Sequence, residues 1–140
     1  MNKFTIREVN GLSDDIADTI RDFNKGMNWP GVDITDSMWW FIYCAGKPVG
    51  WAGMMYSPFY PSAGYISRMG VLSQHRGNGL QLRLFRTLER KARRLGWKLL
   101  VSDCTGTVHS ANNFMRAGYH MFEPAKPWAF SNSLYWRKKL

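Results

Sequence analysis

The sequence lacks the features that place a chain in a membrane or in an oxidising compartment. Two cysteines, Cys44 and Cys104, are too few for a disulfide framework, and no Cys/His spacing indicates a zinc site. No apolar run approaches the roughly 20 residues that span a bilayer, and the N-terminal segment contains no signal-peptide hydrophobic block. We therefore expect a cytoplasmic protein with no bound metal and no membrane partner.

Acidic residues are also scarce, because 10 Asp and Glu face 19 Lys and Arg, for a net charge of +9. Four arginines recur at helical spacing in the second half of the chain: Arg83, Arg86, Arg90 and Arg94. Two interpretations of this arginine stripe stay open. It is either the solvated face of an amphipathic helix, or a surface for RNA or an acidic protein partner.

Length and composition indicate one domain spanning residues 1–140, because a chain with 45% hydrophobic and 15% aromatic residues can bury a substantial core. Apolar patterning and turn residues predict strands at 4–9, 39–44, 49–56, 65–72, 98–103, 119–123 and 133–137. Helices are predicted after Ser13, from Leu80 and at 109–117. Strands interleaved with helices indicate a mixed α/β (α+β) sheet with helices on both faces.

The segment from Val71 to Gln81 joins a strand-like run to the most strongly helical part of the sequence. The first N–H groups of a helix have no internal partner, and the helix dipole adds positive potential there. Gly77 and Gly79 let a phosphate approach the backbone closely, and Arg76 adds a positive charge. This pattern predicts a phosphate or pyrophosphate site, although glycines at such a junction also occur as ordinary loop residues.

Two nucleotide-binding motifs do not fit this segment. A dinucleotide fingerprint would require a third glycine where Leu82 stands, and a P-loop would end in Gly-Lys-Ser or Gly-Lys-Thr, which the segment does not contain.

The run Arg76-Gly77-Asn78-Gly79-Leu80-Gln81 resembles the acetyl-coenzyme A signature of the GNAT superfamily of N-acetyltransferases, Gln/Arg-x-x-Gly-x-Gly/Ala. The preceding residues 71–77 are similar to the family's Val-x-Pro-x-Tyr-Arg-Gly. Residues 111–119 resemble its helix ending in Leu-Tyr-x-x-x-Gly-Phe, and residues 134–140 resemble its final strand. The resemblance covers nearly the whole chain in the right order.

The resemblance implies a GNAT-like, mostly antiparallel sheet of six to seven strands with a splayed central pair. It also implies transfer of an acetyl group from acetyl-coenzyme A to a primary amine by direct attack. The residues it assigns to the cofactor are Met69, Gly70, Val71, Arg76, Gly77, Asn78, Gly79, Leu80, Gln81 and Phe114. The Val71 N–H is expected to bind the thioester oxygen, where charge develops as the amine attacks.

The sequence departs from the family pattern at two cofactor positions. Gln81 stands where the family has Gly or Ala, so its side chain either points away from the pyrophosphate or binds it. Phe114 replaces a tyrosine that often protonates the departing thiolate; Ser110 and a water molecule stay open as substitutes.

For the general base, the resemblance favours Asp103, at the end of the strand that faces the splayed one, although direct alignment places Ser102 at that position. Other interpretations remain open. Asp103 caps the following loop, or the base is His109, His120 or a water relay.

The loops at 24–37 and 123–132 are expected to form the acceptor funnel. The aromatic residues of these loops are Trp29, Trp128 and Phe130, and Trp39 follows the first loop. For Trp39 a packing role is the better interpretation. A small amine, a protein amine and an aminoacyl-tRNA remain open as acceptors. Some relatives acetylate aminoacyl-tRNA. The alternative function is a catalytically impaired acyl-CoA-binding module that acts through its basic surface. The expected assembly is a monomer or a homodimer.

Overall fold

The computed structural model describes residues 3–25 and 34–140. The strands in these ranges are β1 Phe4–Val9, β2 Met38–Cys44, β3 Lys47–Tyr56, β4 Ala63–Val71, β5 Leu99–Thr105, β6 His120–Phe122 and β7 Ser133–Lys139. The α-helices are α1 Asp14–Asn24, α2 Leu80–Arg94 and α3 Val108–Arg116. Short 3₁₀ turns lie at Ile34–Asp36 and Ser73–His75. The predicted strands and helices are therefore confirmed, with ends that differ by at most two residues.

The strands form one seven-stranded sheet in the order β1-β2-β3-β4-β5-β7-β6. The registers of β1 with β2, β2 with β3, β5 with β7 and β6 with β7 are antiparallel, whereas β4 and β5 run parallel. The parallel pair requires a crossover, which α2 supplies. The mixed, mostly antiparallel sheet expected from the sequence is confirmed.

The chain divides into two compact units. The first comprises Met1–Met55 and Ser67–Leu80. Its core packs one face of α1 against the aromatic residues of β2 and β3, and Ile20, Trp39 and Phe41 are almost completely buried. The Phe23 ring stacks on Trp51 at 4.4 Å. The indole N–H of Trp39 donates to the carbonyl of Ile34 over 2.9 Å, so Trp39 is a packing residue.

The second unit comprises Tyr56–Ile66 and Gln81–Leu140. Leu84 and Leu88 of α2 are fully buried, as the helical spacing predicted. An aromatic group joins α2, α3 and β7, since Phe114 contacts Phe85 at 5.3 Å and stacks on Trp136 at 5.4 Å. Within the described residues, no helix is long and apolar enough to cross a membrane.

Candidate active site

The segment between β4 and α2 leaves its backbone uncovered. Residues 76–79 are exposed, whereas Leu80, the first residue of α2, is buried and anchors the helix start. Gly77 and Gly79 have φ angles of +82° and +69°, in the left-handed region that favours glycine, and beyond the adjacent residues no atom lies within 4 Å of where a Cβ on either would stand. The Asn78 side chain donates to the carbonyl of His75 over 2.9 Å and holds the turn closed. A phosphate group can therefore approach the glycines and the helix start without steric obstruction.

The side chain of Gln81 points towards α3. Its Oε1 accepts a hydrogen bond from Nδ2 of Asn113 over 2.8 Å. The sequence left open whether this side chain points away from the pyrophosphate or binds it, and the bond to Asn113 supports the first alternative.

Strand β4 contains an irregularity just before the loop. The Ser67 hydroxyl lies over Gly53, and a Cβ on Gly70 would overlap the Trp51 ring. Trp51 and Gly53 are two positions apart on β3 and face the same side, so Ser67 and Gly70 share that side although they are three positions apart. One extra residue is therefore accommodated at Arg68–Met69, which is the count of a β-bulge.

The end of β4 directs one N–H group away from β3. The N–H of Leu72 donates to the carbonyl of Val49 over 2.9 Å. Successive N–H groups of an extended chain point to opposite edges. The N–H of Val71, a residue that is 4% exposed, therefore lies on the edge of β4 that faces away from β3.

Pairing between β4 and β5 ends well before either strand does. It is confined to Ala63–Leu99, Gly64–Leu100 and Tyr65–Val101, as expected for a splayed pair. The hydroxyl of Ser102 then donates to the carbonyl of Ile66 over 2.8 Å. Ser102 is 3% exposed and its proton is committed to this bond, so Ser102 is a structural residue at the point where the pairing stops.

Asp103 lies in an aromatic cluster. Its Oδ2 accepts hydrogen bonds from the Tyr65 hydroxyl over 2.6 Å and from the Trp128 indole N–H over 2.8 Å. The Trp128 ring stacks on Phe59 at 4.1 Å and meets Tyr135 edge-on at 4.6 Å. Oδ1 has no hydrogen-bond partner among residues 3–25 and 34–140. Asp103 is half-buried, and these bonds do not cap the following loop as one interpretation of the sequence proposed.

The thiol next to Asp103 is not activated. Burial raises the pKa of Cys104, the Trp136 N–H donates to its sulfur and partly lowers the pKa, and the charge of Asp103 raises it further. A thiol with a raised pKa forms little thiolate near neutral pH and is a poor nucleophile.

Phe114 occupies a closed aromatic environment. Its exposure is 7%, and its ring contacts Phe85, Tyr119 and Trp136. The Tyr119 hydroxyl donates to Oε2 of Glu89 over 3.1 Å. Burial, followed by the charge of Glu89, raises the pKa of Tyr119 well above its usual value. The Tyr119 proton is held by Glu89, and the raised pKa makes this hydroxyl a poor proton donor. Ser110, the other side chain that the sequence offered as a substitute, is half-buried.

The other predicted site residues lie in different settings. His109 and His120 are exposed, at the start of α3 and on β6. Trp29 falls outside the described residues. Phe130 is 55% exposed. The described end of the first predicted funnel loop borders a groove of about 510 Å³, whose lining includes Ile34, Thr35 and Ser37. The second loop borders a groove of about 530 Å³, whose lining includes Glu123 and Pro127.

The positive charge is concentrated in one unit. Residues 56–66 and 81–140 contain twelve Lys and Arg against three Asp and Glu, whereas the other unit contains seven of each. Arg90 and Arg94 of the predicted stripe are exposed and Arg83 is half-buried. The Arg86 guanidinium donates to Glu89 over 2.9 Å and to the carbonyl of Ala117 over 3.1 Å. Arg86 is therefore a structural member of the stripe.

The chain matches the sequence model of the acetyltransferase (GNAT) family over residues 11–119. Solved structures with the same fold include a proposed acyl-CoA N-acyltransferase from Klebsiella pneumoniae, at 21% identity and a TM-score of 0.76, covering 98% of this chain and 97% of that one. A ribosomal-protein-alanine N-acetyltransferase from Brucella melitensis matches at 18% identity and a TM-score of 0.73, covering 97% and 99%.

A GNAT family acetyltransferase from Elizabethkingia anophelis with acetyl-CoA bound matches at 12% identity and a TM-score of 0.70, covering 100% of both chains. No curated protein matches the chain by sequence. At these identities the likeness to solved structures establishes the fold.

Proposed function

Because the chain belongs to the acetyltransferase (GNAT) family, we propose that it transfers an acetyl group from acetyl-coenzyme A to a primary amine by direct attack of the amine on the thioester. The observation that carries the proposal is the uncovered turn at Gly77 and Gly79, where two left-handed glycines precede a buried helix start. Backbone N–H groups from Arg76 to Gln81 hold the pyrophosphate in this proposal, and the Arg76 side chain adds charge.

The edge of β4 at Met69, Gly70 and Val71 receives the pantetheine arm as an added strand. The bulge and the orientation of the Val71 N–H support this role, because an N–H that points away from β3 can donate to the thioester oxygen. Such a donor is worth about 3 kcal/mol when it acts on charge that develops in the transition state.

Asp103 is proposed as the acceptor of the amine proton. In the step, the amine nitrogen forms a bond to the acetyl carbon, the carbon–sulfur bond breaks, and coenzyme A leaves as a thiolate. The support is geometric: Tyr65 and Trp128 fix one oxygen of Asp103, and the other has no partner among the described residues. With Phe114 in a closed aromatic environment, the thiolate departs without a proton from that position.

The candidate acceptors are a small amine, a protein amine and a charged tRNA. A basic surface at Arg90 and Arg94 supports an anionic partner or an acceptor carried by RNA, because the net charge of +9 lies in the unit that contains α2.

Calorimetric titration with acetyl-coenzyme A, followed by a free-thiol release assay across a panel of amines, tests the proposal. We expect saturable binding and thiol release that depends on the amine. Absence of binding near millimolar cofactor overturns the proposal. Slow hydrolysis that no amine accelerates instead favours an acyl-CoA-binding module without turnover.

A further inference from the structure

Two residues that depart from the family pattern, Gln81 and Asn113, form a hydrogen bond with each other. Gln81 stands where the acetyl-coenzyme A signature has Gly or Ala. Asn113 stands at the leucine of the family's Leu-Tyr-x-x-x-Gly-Phe pattern, because Gly118 and Tyr119 align with its final pair. Nδ2 of Asn113 donates to Oε1 of Gln81 over 2.8 Å, and both side chains are half-buried.

We propose that Gln81 and Asn113 form a clamp that positions the first turn of α2 for pyrophosphate binding. The inference rests on the proposed acetyl-coenzyme A site. Gln81 is the second residue of α2, so its backbone N–H is among those without an intrahelical partner. The direction of these N–H groups follows the orientation of the first turn, and the Asn113 amide holds that turn to α3.

A second contact supports the clamp, because α3 is itself held one turn beyond Asn113, at its C-terminal end. The Ala117 carbonyl accepts hydrogen bonds from Arg86 over 3.1 Å and from Lys138 over 2.9 Å. Both cations also bind Glu89, which is 1% exposed. α3 is therefore a fixed support, and Gln81 ties the helix start to it.

The two departures also explain each other chemically. In the family pattern, the small residue at position 81 has no polar side chain that needs a partner, so an apolar side chain at position 113 can simply pack. A glutamine beside a leucine would instead leave its Oε1 without a hydrogen-bond donor in a half-buried place, which costs more than losing an exposed hydrogen bond. Each polar residue therefore requires the other, and the pair replaces an apolar contact with a directional one.

The test uses Gln81→Ala, Asn113→Leu, the double variant, and Asn112→Leu as the control, because Asn112 is the exposed neighbour on α3. Binding of acetyl-coenzyme A and of the nucleotide half of coenzyme A, which carries the pyrophosphate without the pantetheine arm, is measured by calorimetry. We expect each single variant to weaken both ligands about tenfold, or about 1.4 kcal/mol. The double variant should return to within about threefold of the parent, and Asn112→Leu should bind as the parent does.

Single losses that add in the double variant overturn the inference, as does a loss seen with acetyl-coenzyme A but absent with the nucleotide half. If the parent binds no acetyl-coenzyme A, the proposed function fails and the clamp fails with it. If the parent binds and the losses are uncoupled, the clamp alone fails. Thermal melting of each variant confirms folding, and Asn113→Ala replaces Asn113→Leu if the leucine prevents it.

Discussion

The indole N–H of Trp128 donates to Oδ2 of Asp103 over 2.8 Å. The bond connects the loop after β6 to β5, so a change at either residue affects the other. Asp103 can act on the acceptor amine directly, or it can act by holding the Trp128 loop. The two roles predict different consequences of substitution.

Replacing Asp103 with Asn should lower kcat about 100-fold, because a positioned base contributes on the order of 10²–10⁴ in rate. Trp128→Phe removes the same hydrogen bond but keeps the carboxylate and the ring stacking on Phe59, so a loss below about tenfold is expected. Amine-dependent thiol release as a function of pH is the measurement. Equal losses in the two variants, with an unchanged pH profile in Asp103→Asn, would assign Asp103 to loop positioning.

Replacing Gly79 with Leu should weaken acetyl-coenzyme A binding more than 100-fold. The φ of +69° strains a residue with a Cβ by about 1–2 kcal/mol, and the new side chain fills the open space where the phosphate is proposed to lie. Gly96→Leu is the matched control, because Gly96 has a φ of +79° and equally open surroundings after the end of α2. The two variants should lose similar thermal stability. Retained affinity in Gly79→Leu would move the anion site elsewhere.

The sequence predicted helices and strands correctly where a single local pattern, helical spacing or turn residues, determined the element. Leu84 and Leu88 recur at helical spacing and are fully buried. β2 and β3 lie on either side of the turn residues that predicted a pair of strands. The role of Asp103 was harder to predict, because its partners Tyr65 and Trp128 lie 38 and 25 residues away in the sequence. No local pattern reports such contacts.

The arginine stripe shows a second limit of the sequence. Arg86 has the same spacing as its neighbours but binds the buried Glu89, whose other partners, Lys138 of β7 and Tyr119, are distant in the sequence. Gln81 is similar, since the family pattern marked it as a departure but gave no partner for it. Asn113 is identified only when α3 is placed beside α2.

Replacing Phe114 with Tyr should not raise kcat, although it restores the family's residue. The ring is 7% exposed among Phe85, Tyr119 and Trp136, so a hydroxyl without a partner there would cost about 1–3 kcal/mol of folding stability. Thermal melting and thiol release are measured together. A gain in rate at unchanged stability would show that this position accepts a proton donor after all.

Replacing Arg90 and Arg94 together with Gln should weaken binding of single-stranded RNA at least tenfold if the stripe is a partner surface. Each lost phosphate contact should also make the slope of log affinity against log salt shallower by about 0.7. Acetyl-coenzyme A affinity serves as the control and should not change. Arg86→Gln is unsuitable here, because it deprives the buried Glu89 of a partner. Identical salt dependence in parent and variant would identify the stripe as a solvated helix face.

Tyr119 should give the stability a dependence on high pH. Its pKa is raised in the folded protein by burial and by Glu89, so above pH 10 the unfolded chain ionises while the folded chain does not. The stability that Tyr119 contributes is therefore fully present below pH 10 and falls above it, by about 1.4 kcal/mol per pH unit.

Urea denaturation of the parent and of Tyr119→Phe between pH 7 and pH 11 measures this effect. The unfolding free energy of the parent relative to that of the variant should be constant up to about pH 9. It should then fall as the pH rises, because only the parent loses stability through Tyr119. A difference that stays constant through pH 11 would contradict the assignment.

The segregation of charge has a practical consequence for handling the protein. In a unit with twelve cationic and three anionic side chains, the cations repel one another, and dissolved salt screens that repulsion. Sodium chloride should therefore raise the melting temperature, the reverse of what a fold held by surface ion pairs would show. Phosphate and sulfate ions would compete with the anionic cofactor for these positive charges, so affinities are best measured in buffers with weakly binding anions.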